Sequence, residues 1–122
     1  YAEDYVKTMW KMLQQKKPSD YVISTGVSKS VRQFAEEAYS CIGVKINWKG
    51  KGLNELGIDK KTKKTIIKID KYYFRPTEVH ELRGDSSKAR KELGWKPSTS
   101  FKQLVKTMVS KDIHKIRMSN QN

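Results

Sequence analysis

One short segment, residues 73–79, combines side chains that could hold a phosphorylated ligand. Arg75 precedes Pro76, and a residue before proline favours the extended conformation, so this part of the chain is expected to be stiff. A planar guanidinium can grip a diphosphate through two parallel hydrogen bonds. Glu78 follows three residues later, and its carboxylate can accept hydrogen bonds from both hydroxyls of a ribose. The segment could therefore hold one nucleotide diphosphate. On these residues alone, however, the favoured interpretation is a surface Arg–Glu pair without function, worth ~0–1 kcal/mol.

Other residue types that perform catalysis or bind metals are scattered along the chain. No tyrosine is followed four residues later by a lysine, and the two histidines, His80 and His114, are isolated. Together with the single cysteine they do not form a zinc-site spacing. Cys41 lies beside an apolar stripe, which predicts a small core residue and not a nucleophile. We therefore expect no catalytic residue and no metal site in these 122 residues.

The charge of the chain is strongly positive. It has 26 basic and 13 acidic residues, a net charge of +13, which favours anionic partners such as nucleic acid, an anionic membrane surface or a phosphate-bearing ligand. Lys49, Lys51 and the lysine-rich run at residues 60–64 could follow a nucleic-acid backbone. Such binding usually needs aromatic residues among the charges, and Trp48 is the only one close by. The alternative is a solvated lysine-rich surface, which charge alone does not exclude.

Length and composition are typical of one domain with a modest core. No stretch has the length and apolar character of a membrane helix, and no signal peptide is visible. The one cysteine excludes an internal disulfide and fits a reducing compartment, so we expect a cytoplasmic protein. Because the sequence does not begin with methionine, we expect it to begin inside a longer protein.

Hydrophobic periodicity predicts four helices and three strands in a mixed α/β arrangement. The helices are expected at residues 4–16, 30–42, 85–93 and 100–113, and the strands at residues 21–25, 45–48 and 65–70. A basic loop is expected at residues 49–64, where glycines and lysines interrupt the pattern. No glycine-rich turn joins a strand to a helix, so no dinucleotide fingerprint is visible.

Capping signals define most of the helix ends. Ser30 and Ser100 each have a glutamine three residues later, which is the spacing of a capping box. Gly43 and Gly94 are expected to end their helices in the left-handed conformation. Trp95 is then placed to pack back on the short helix at residues 85–93.

Apolar faces predict which side of each long helix is buried. In the helix at residues 4–16, one face carries Tyr5, Met9 and Met12, with Val6, Trp10 and Leu13 beside it. In the helix at residues 30–42, the stripe consists of Val31, Phe34, Ala35, Ala38, Tyr39 and Ile42.

Several of these segments resemble the GDP-mannose 4,6-dehydratases of the extended short-chain dehydrogenase/reductase superfamily. The most specific are residues 73–79 (YFRPTEV) and 84–89 (GDSSKA), whereas residues 93–97 (LGWKP) are shared more widely among sugar-nucleotide enzymes. Residues 4–14 resemble the family's helix that follows the catalytic half. Residues 20–26 and 30–34 resemble the strand and the helix that come next. The resemblance extends over about residues 3–117 and is closest to the C-terminal third of the family.

The resemblance implies a fold, and it assigns substrate binding and catalysis to different parts of the enzyme. Residues 1–118 are expected to be the C-terminal, sugar-nucleotide-binding lobe with edge elements of the Rossmann domain, followed by a tail at residues 119–122. The family converts GDP-mannose to GDP-4-keto-6-deoxymannose, towards GDP-fucose and other deoxysugars, with a bound NADP that takes a hydride from C4 and returns it at C6. Its catalytic residues and its NADP-binding turn are expected upstream of Tyr1, in an N-terminal half that is absent here, so this chain alone is expected to be inactive.

The resemblance also implies binding residues and partners. Arg75 and Glu78 match the family positions that contact the diphosphate and the ribose of the sugar nucleotide, and Tyr73 is a second candidate contact. The expected partners are GDP-mannose, the missing N-terminal half and further copies of the full-length protein, with no membrane. Two alternatives stay open: the same lobe of another sugar-nucleotide epimerase or reductase, and a non-enzymatic basic module that binds nucleic acid.

Overall fold

The computed structural model of the chain describes residues 1–75 and 82–120. These residues form an α/β structure with a small antiparallel sheet. In chain order its elements are α1 (Ala2–Leu13), α2 (Val31–Ser40), β1 (Ile46–Lys49), a turn of 3-10 helix (Gly52–Asn54), β2 (Leu56–Asp59), β3 (Thr65–Lys68), α3 (Ser87–Leu93) and α4 (Phe101–Ser119). The chain divides into two compact units, residues 1–29 with 81–104 and residues 30–80 with 105–122, each considered in its described part.

The core of the first unit forms around Trp95. This residue is only 4% exposed and packs with Ala89 and Leu93 of α3, while Met12, Tyr21 and Ile23 lie against the cluster. The indole Nε1 donates a hydrogen bond of 2.9 Å to the carbonyl oxygen of Ser24. Gly94 makes this packing possible, because its φ of 62° turns the chain back onto α3 in a conformation that disfavours side chains.

A buried carboxylate joins α1 to the segment that precedes α4. The hydroxyl of Ser98 donates to Asp4, and the backbone N–H groups of Ser98 and Thr99 donate to the same carboxylate at 3.2 and 3.4 Å. These donors lower the pKa of Asp4 below its ordinary value, the Ser98 hydroxyl most of all. The carboxylate thus takes up backbone donors that would otherwise be unpaired at the entrance to α4.

We expect Asp4→Asn to destabilise the chain more at neutral pH than in acid. A carboxyl whose pKa is depressed by folding stabilises the protein above its unfolded pKa, and this contribution is lost as the pH falls through the folded value. Urea unfolding of both proteins between neutral pH and about pH 3, below the ordinary carboxyl pKa, measures the difference. A difference in unfolding free energy that stayed constant over this range would show that the negative charge of Asp4 does not matter.

Helix α1 differs from the prediction in both its length and its buried side. It ends at Leu13 and not at residue 16, and its buried residues are Asp4 and Thr8. Most of the predicted apolar face is exposed, with Trp10 at 63% and Leu13 at 82%. The predicted face is used in part, because Met12 packs against the core and the Tyr5 ring lies 5.8 Å from that of Trp95. Lys11 adds a hydrogen bond of 3.3 Å from its Nζ to the Leu93 carbonyl.

The strand predicted at residues 21–25 does not form. Within the described part of the chain this segment pairs with no strand, and its polar groups bond to α3 and to neighbouring segments. Trp95 donates to Ser24, the Ser24 hydroxyl donates to the Gly84 carbonyl at 2.6 Å, and Arg90 donates to the Thr25 carbonyl at 3.3 Å. A β-prone sequence becomes a strand only beside a partner edge, and none of the described residues supplies one here.

The second unit contains the three-stranded sheet, in the order β1-β2-β3 with both pairs antiparallel. The predicted strands at residues 45–48 and 65–70 correspond to β1 and β3. The predicted loop at residues 49–64 is wrong in part, because it contains β2 as the central strand. Gly57 is buried in that strand, where a Cβ would lie 3.0 Å from the Ile67 Cβ and 3.2 Å from the Trp48 Cζ3. Glycine here permits close packing and does not mark a turn.

Helix α2 contacts the sheet through polar atoms as well as its apolar stripe. The Tyr39 hydroxyl donates to the Ile66 carbonyl at 3.2 Å, and the Trp48 indole N–H donates to Glu36 at 2.8 Å. Arg32 lies over the Trp48 ring, 4.9 Å from its centroid, and forms an ion pair with Glu55. The stripe itself is only partly covered, because Val31 and Ile42 at its two ends are exposed.

Both predicted capping boxes and the left-handed Gly94 are confirmed, whereas the other predicted C-terminal ends are shifted. Ser30 begins α2 with both hydrogen bonds of a capping box, and Ser100 pairs with Gln103 in the same way before α4. The C-cap of α2 is Cys41 and not Gly43. Cys41 is also exposed, so its predicted place in the core is wrong: it follows the last turn of the helix, beyond the covered stripe.

No helix among the described residues is both long and apolar enough to cross a membrane.

Candidate functional site

The segment that carries Tyr73 and Arg75 leaves the sheet through a turn fixed by Asp70. The Asp70 carboxylate accepts a hydrogen bond of 2.9 Å from the backbone N–H of Tyr72, and its carbonyl accepts one of 3.2 Å from Tyr73. Phe74 closes the same turn with a bond of 3.4 Å to the Lys71 carbonyl. An aspartate that bonds to the backbone two residues later is a common way to fix a turn. Tyr73 and Arg75 are therefore presented from a defined bend two residues after β3.

The turn exposes two aromatic rings. Tyr72 is 85% exposed and Tyr73 is 77% exposed, and their rings meet edge to face with centroids 5.0 Å apart. Such a pair leaves most of both ring surfaces in water. Two neighbouring tyrosines with so little burial contribute little to the core, and their faces and hydroxyls are open to a ligand.

Arg75 is exposed, and among the described residues its guanidinium forms no ion pair or hydrogen bond. The surface Arg–Glu pair that the sequence suggested for it involves Glu78, which lies outside the described residues, so that pair stays a prediction. None of the residues described in the structure occupies its five N–H donors, and an anion can bind two such donors in parallel.

Glu78 and His80 lie outside the described residues. The structure thus brings Tyr73 and Arg75 onto one short segment, and the position of Glu78 relative to them stays a prediction from the three-residue spacing. Asp70 and Tyr72 were not predicted as part of this segment. Asp70 was detectable, since aspartate is favoured in turns, where its side chain bonds to the backbone two residues later.

The first four residues of the second family-like segment, residues 84–87, line a polar cavity of about 390 Å³ in the first unit. Arg83 and Arg90 contribute to its wall. Arg90 is fixed by Ser86, whose hydroxyl accepts from the guanidinium Nε at 3.1 Å. Asp85 offsets part of this charge: the hydroxyl and backbone N–H of Ser87 donate to its carboxylate and lower its pKa. The Asp85–Ser87 pair supplies the hydrogen bonds at the start of α3, because Ser86 at the N-cap makes no side-chain capping bond.

No metal site is evident in the described ranges, 1–75 and 82–120, since no three of their histidine, cysteine, aspartate or glutamate side chains cluster. The sequence also lacks the glycine spacing of a dinucleotide-binding turn: Gly50 and Gly52 are two apart, but residue 55 is a glutamate. The exposed side chains of Arg75, Tyr72 and Tyr73 are suited to binding an anion and an aromatic or sugar group.

Comparison with known proteins gives a consistent result. Residues 1–108 match the family described as GDP-mannose 4,6 dehydratase. The chain is 50% identical over 117 residues to the GDP-mannose 4,6 dehydratase of Drosophila melanogaster and, over the same length, 50% identical to that of Dictyostelium discoideum. It is 47% identical over 121 residues to the GDP-mannose 4,6-dehydratase of Sinorhizobium fredii.

These alignments cover nearly all of the chain but a minor part of each relative. They include 96%, 96% and 99% of the 122 residues, and 30%, 33% and 34% of the Drosophila, Dictyostelium and Sinorhizobium proteins. The chain spans about a third of the length of the curated relatives it matches.

Proposed function

The chain belongs to the GDP-mannose 4,6-dehydratase family, as its motifs predicted, and from this we propose that it supplies the GDP-sugar-binding lobe of an enzyme that converts GDP-mannose to GDP-4-keto-6-deoxymannose. The main support is 50% identity over 117 residues to a relative of that name. The exposed guanidinium of Arg75, which has no partner among residues 1–75 and 82–120, is the feature of the structure that fits this role.

In this proposal Arg75 binds the diphosphate through two parallel hydrogen bonds. Glu78, three residues later, accepts hydrogen bonds from the ribose hydroxyls. Tyr73 provides a further contact, through its ring face or its hydroxyl. None of these residues touches the reacting carbons. Binding energy from the nucleotide instead positions the sugar for chemistry at a separate site.

NADP does not fit the residues of this chain. The glycine-rich turn that would approach a pyrophosphate is missing from the sequence, and so is a tyrosine with a lysine four residues later. We therefore assign NADP and every catalytic residue to the part of the enzyme that these 122 residues do not include, and we expect the chain alone to be inactive.

We propose that the part of the enzyme outside these 122 residues packs against α1 and against residues 21–25. Val6, Trp10 and Leu13 form an exposed apolar face at helical spacing, and the extended segment beside α3 pairs with no strand among the described residues. Both features fit edge elements of a larger α/β domain. We further propose a cytoplasmic location, in keeping with a single unpaired cysteine, and assembly of the full-length enzyme into oligomers.

Calorimetric titration of the 122-residue chain with GDP and, separately, with UDP tests the nucleotide assignment. We expect GDP to bind more tightly than UDP, because the family acts on a guanosine nucleotide. A preference for UDP or dTDP would instead assign the lobe to another class of sugar-nucleotide enzyme. If neither nucleotide binds, the same titration of a chimera, in which this chain replaces the matching segment of the Drosophila relative, decides the question: a chimera that does not bind GDP contradicts the proposal.

A further inference from the structure

One end of the three-stranded sheet concentrates positive charge around a cavity of about 510 Å³. The cavity lies where β1 begins and where β2 turns into β3, and Lys45, Lys60 and Lys61 line it. Lys63 and Lys64 complete the same turn. All five lysines are exposed. They lie on two separate stretches of the sequence, and the register of the strands is what brings the stretches together.

That register places like charges opposite each other. Ile46 pairs with Asp59, so the next pair along the strands is Lys45 with Lys60, joined by a hydrogen bond of 2.8 Å from the Lys60 N–H to the Lys45 carbonyl. Like charges directly opposite in an antiparallel pair are destabilising. Lys63 adds a local cost, because it adopts a φ of 62°, which side chains rarely occupy. The fold thus brings these lysines together although Lys45 and Lys60 repel each other and the backbone of Lys63 is in an unfavourable conformation.

The acid in the cavity wall does not neutralise them. Asp59 is 8% exposed, and its two carboxylate oxygens accept from the Thr62 hydroxyl at 2.6 Å and from the Lys61 backbone N–H at 2.9 Å. These donors, the Thr62 hydroxyl most of all, and the nearby charge of Lys61 lower the pKa of Asp59. The carboxylate therefore shapes the turn and offsets only one of the positive charges around the cavity. Across the described parts of the chain, none of the five lysines forms an ion pair.

We propose that this cavity is a binding site for a compact anion that carries several phosphate groups, separate from the nucleotide site proposed at Arg75. The ammonium groups supply charge without the fixed fork of a guanidinium, so they suit clustered phosphates in varied orientations. The wall is concave, which favours a small ligand over a flat membrane surface. No aromatic side chain lines it, and a single-stranded nucleic acid would lack the stacking platform that such ligands use.

Titration of the 122-residue chain with inorganic tripolyphosphate at low ionic strength tests the proposal. We expect saturable binding that weakens by roughly tenfold in Lys60→Gln/Lys61→Gln, since each exposed ion pair contributes modestly. Lys45→Gln, which alters the cavity from the other strand, should also weaken it. The matched control is Lys16→Gln/Lys17→Gln, which removes the same charge from exposed residues of the first unit and should change the affinity far less.

Three outcomes would overturn the inference. Equal losses in the two double variants would show that binding follows net charge and not this cavity. Loss of most of the tripolyphosphate binding in Arg75→Ala, with binding kept in Lys60→Gln/Lys61→Gln, would move the phosphate ligand to the proposed nucleotide segment. Tighter binding of a single-stranded oligonucleotide, or of vesicles containing phosphatidylinositol 4,5-bisphosphate, through the same lysines would replace the compact anion with that partner.

Discussion

Replacing Arg75 with alanine is expected to weaken GDP-mannose binding by ~2–3 kcal/mol, the range for losing charge-assisted hydrogen bonds. The guanidinium is exposed and has no partner among the described residues, so its removal should break no contact of the fold that the structure shows. Calorimetry on the chimera with the Drosophila relative measures the effect. The loss should therefore appear in affinity, with the thermal stability of the unliganded protein unchanged.

Two further variants make this result specific. Arg75→Lys keeps the charge and loses the planar fork, and should recover only part of the affinity. Arg117→Ala removes an exposed arginine from the last turn of α4 and should leave binding unaffected. If Arg75→Ala bound GDP-mannose as tightly as the parent chimera, Arg75 would have no role in holding the diphosphate.

Trp95→Ala is expected to cause the largest loss of stability, about 3–5 kcal/mol of unfolding free energy. Trp95 is 4% exposed at the centre of the first unit's core. Its loss would leave a cavity beside Ala89 and Leu93, and it would remove the donor to the Ser24 carbonyl. Urea unfolding of the 122-residue chain, followed by far-ultraviolet circular dichroism, measures the change.

The chain contains a matched control for this substitution. Trp10→Ala removes the same side chain from the exposed side of α1, where it is 63% exposed, so the free energy of unfolding should change little. A similar loss in both variants would mean that the described burial does not determine the stability of this unit.

Local signals predicted the elements that depend on local interactions. The capping boxes at Ser30 and Ser100 and the left-handed Gly94 each involve residues within a few positions of one another, so the sequence determines them. The return of Trp95 onto α3 follows directly from that turn. These features needed no knowledge of distant segments.

The errors occur where a distant segment decides the outcome. Gly57 has the sequence signature of a loop, but Trp48 and Ile67 close on it from both neighbouring strands. Residues 21–25 have the composition of a strand, yet none of the described residues offers them an edge. In both cases the propensity of the segment is overridden by which partners are present.

The candidate site was predicted through the family resemblance more than through physics. The spacing of Arg75 and Glu78 alone favoured an ordinary surface pair, and only the surrounding motif indicated a diphosphate site. The structure adds the Asp70 turn and the exposed pair of Tyr72 and Tyr73. The position of Tyr72 could not be deduced, because nothing in its sequence context distinguishes an exposed tyrosine from a buried one.

Helix α1 is divided into a side that this fold requires and a side that it does not. Asp4 and Thr8 are buried, so most substitutions at those positions should lower the stability of the chain. Val6, Trp10 and Leu13 are exposed, and a lineage selected only to preserve the described contacts would be free to exchange them for polar residues. Three large apolar side chains exposed at one helical spacing therefore carry a cost in water that the described fold does not require, and we expect them to serve a second surface.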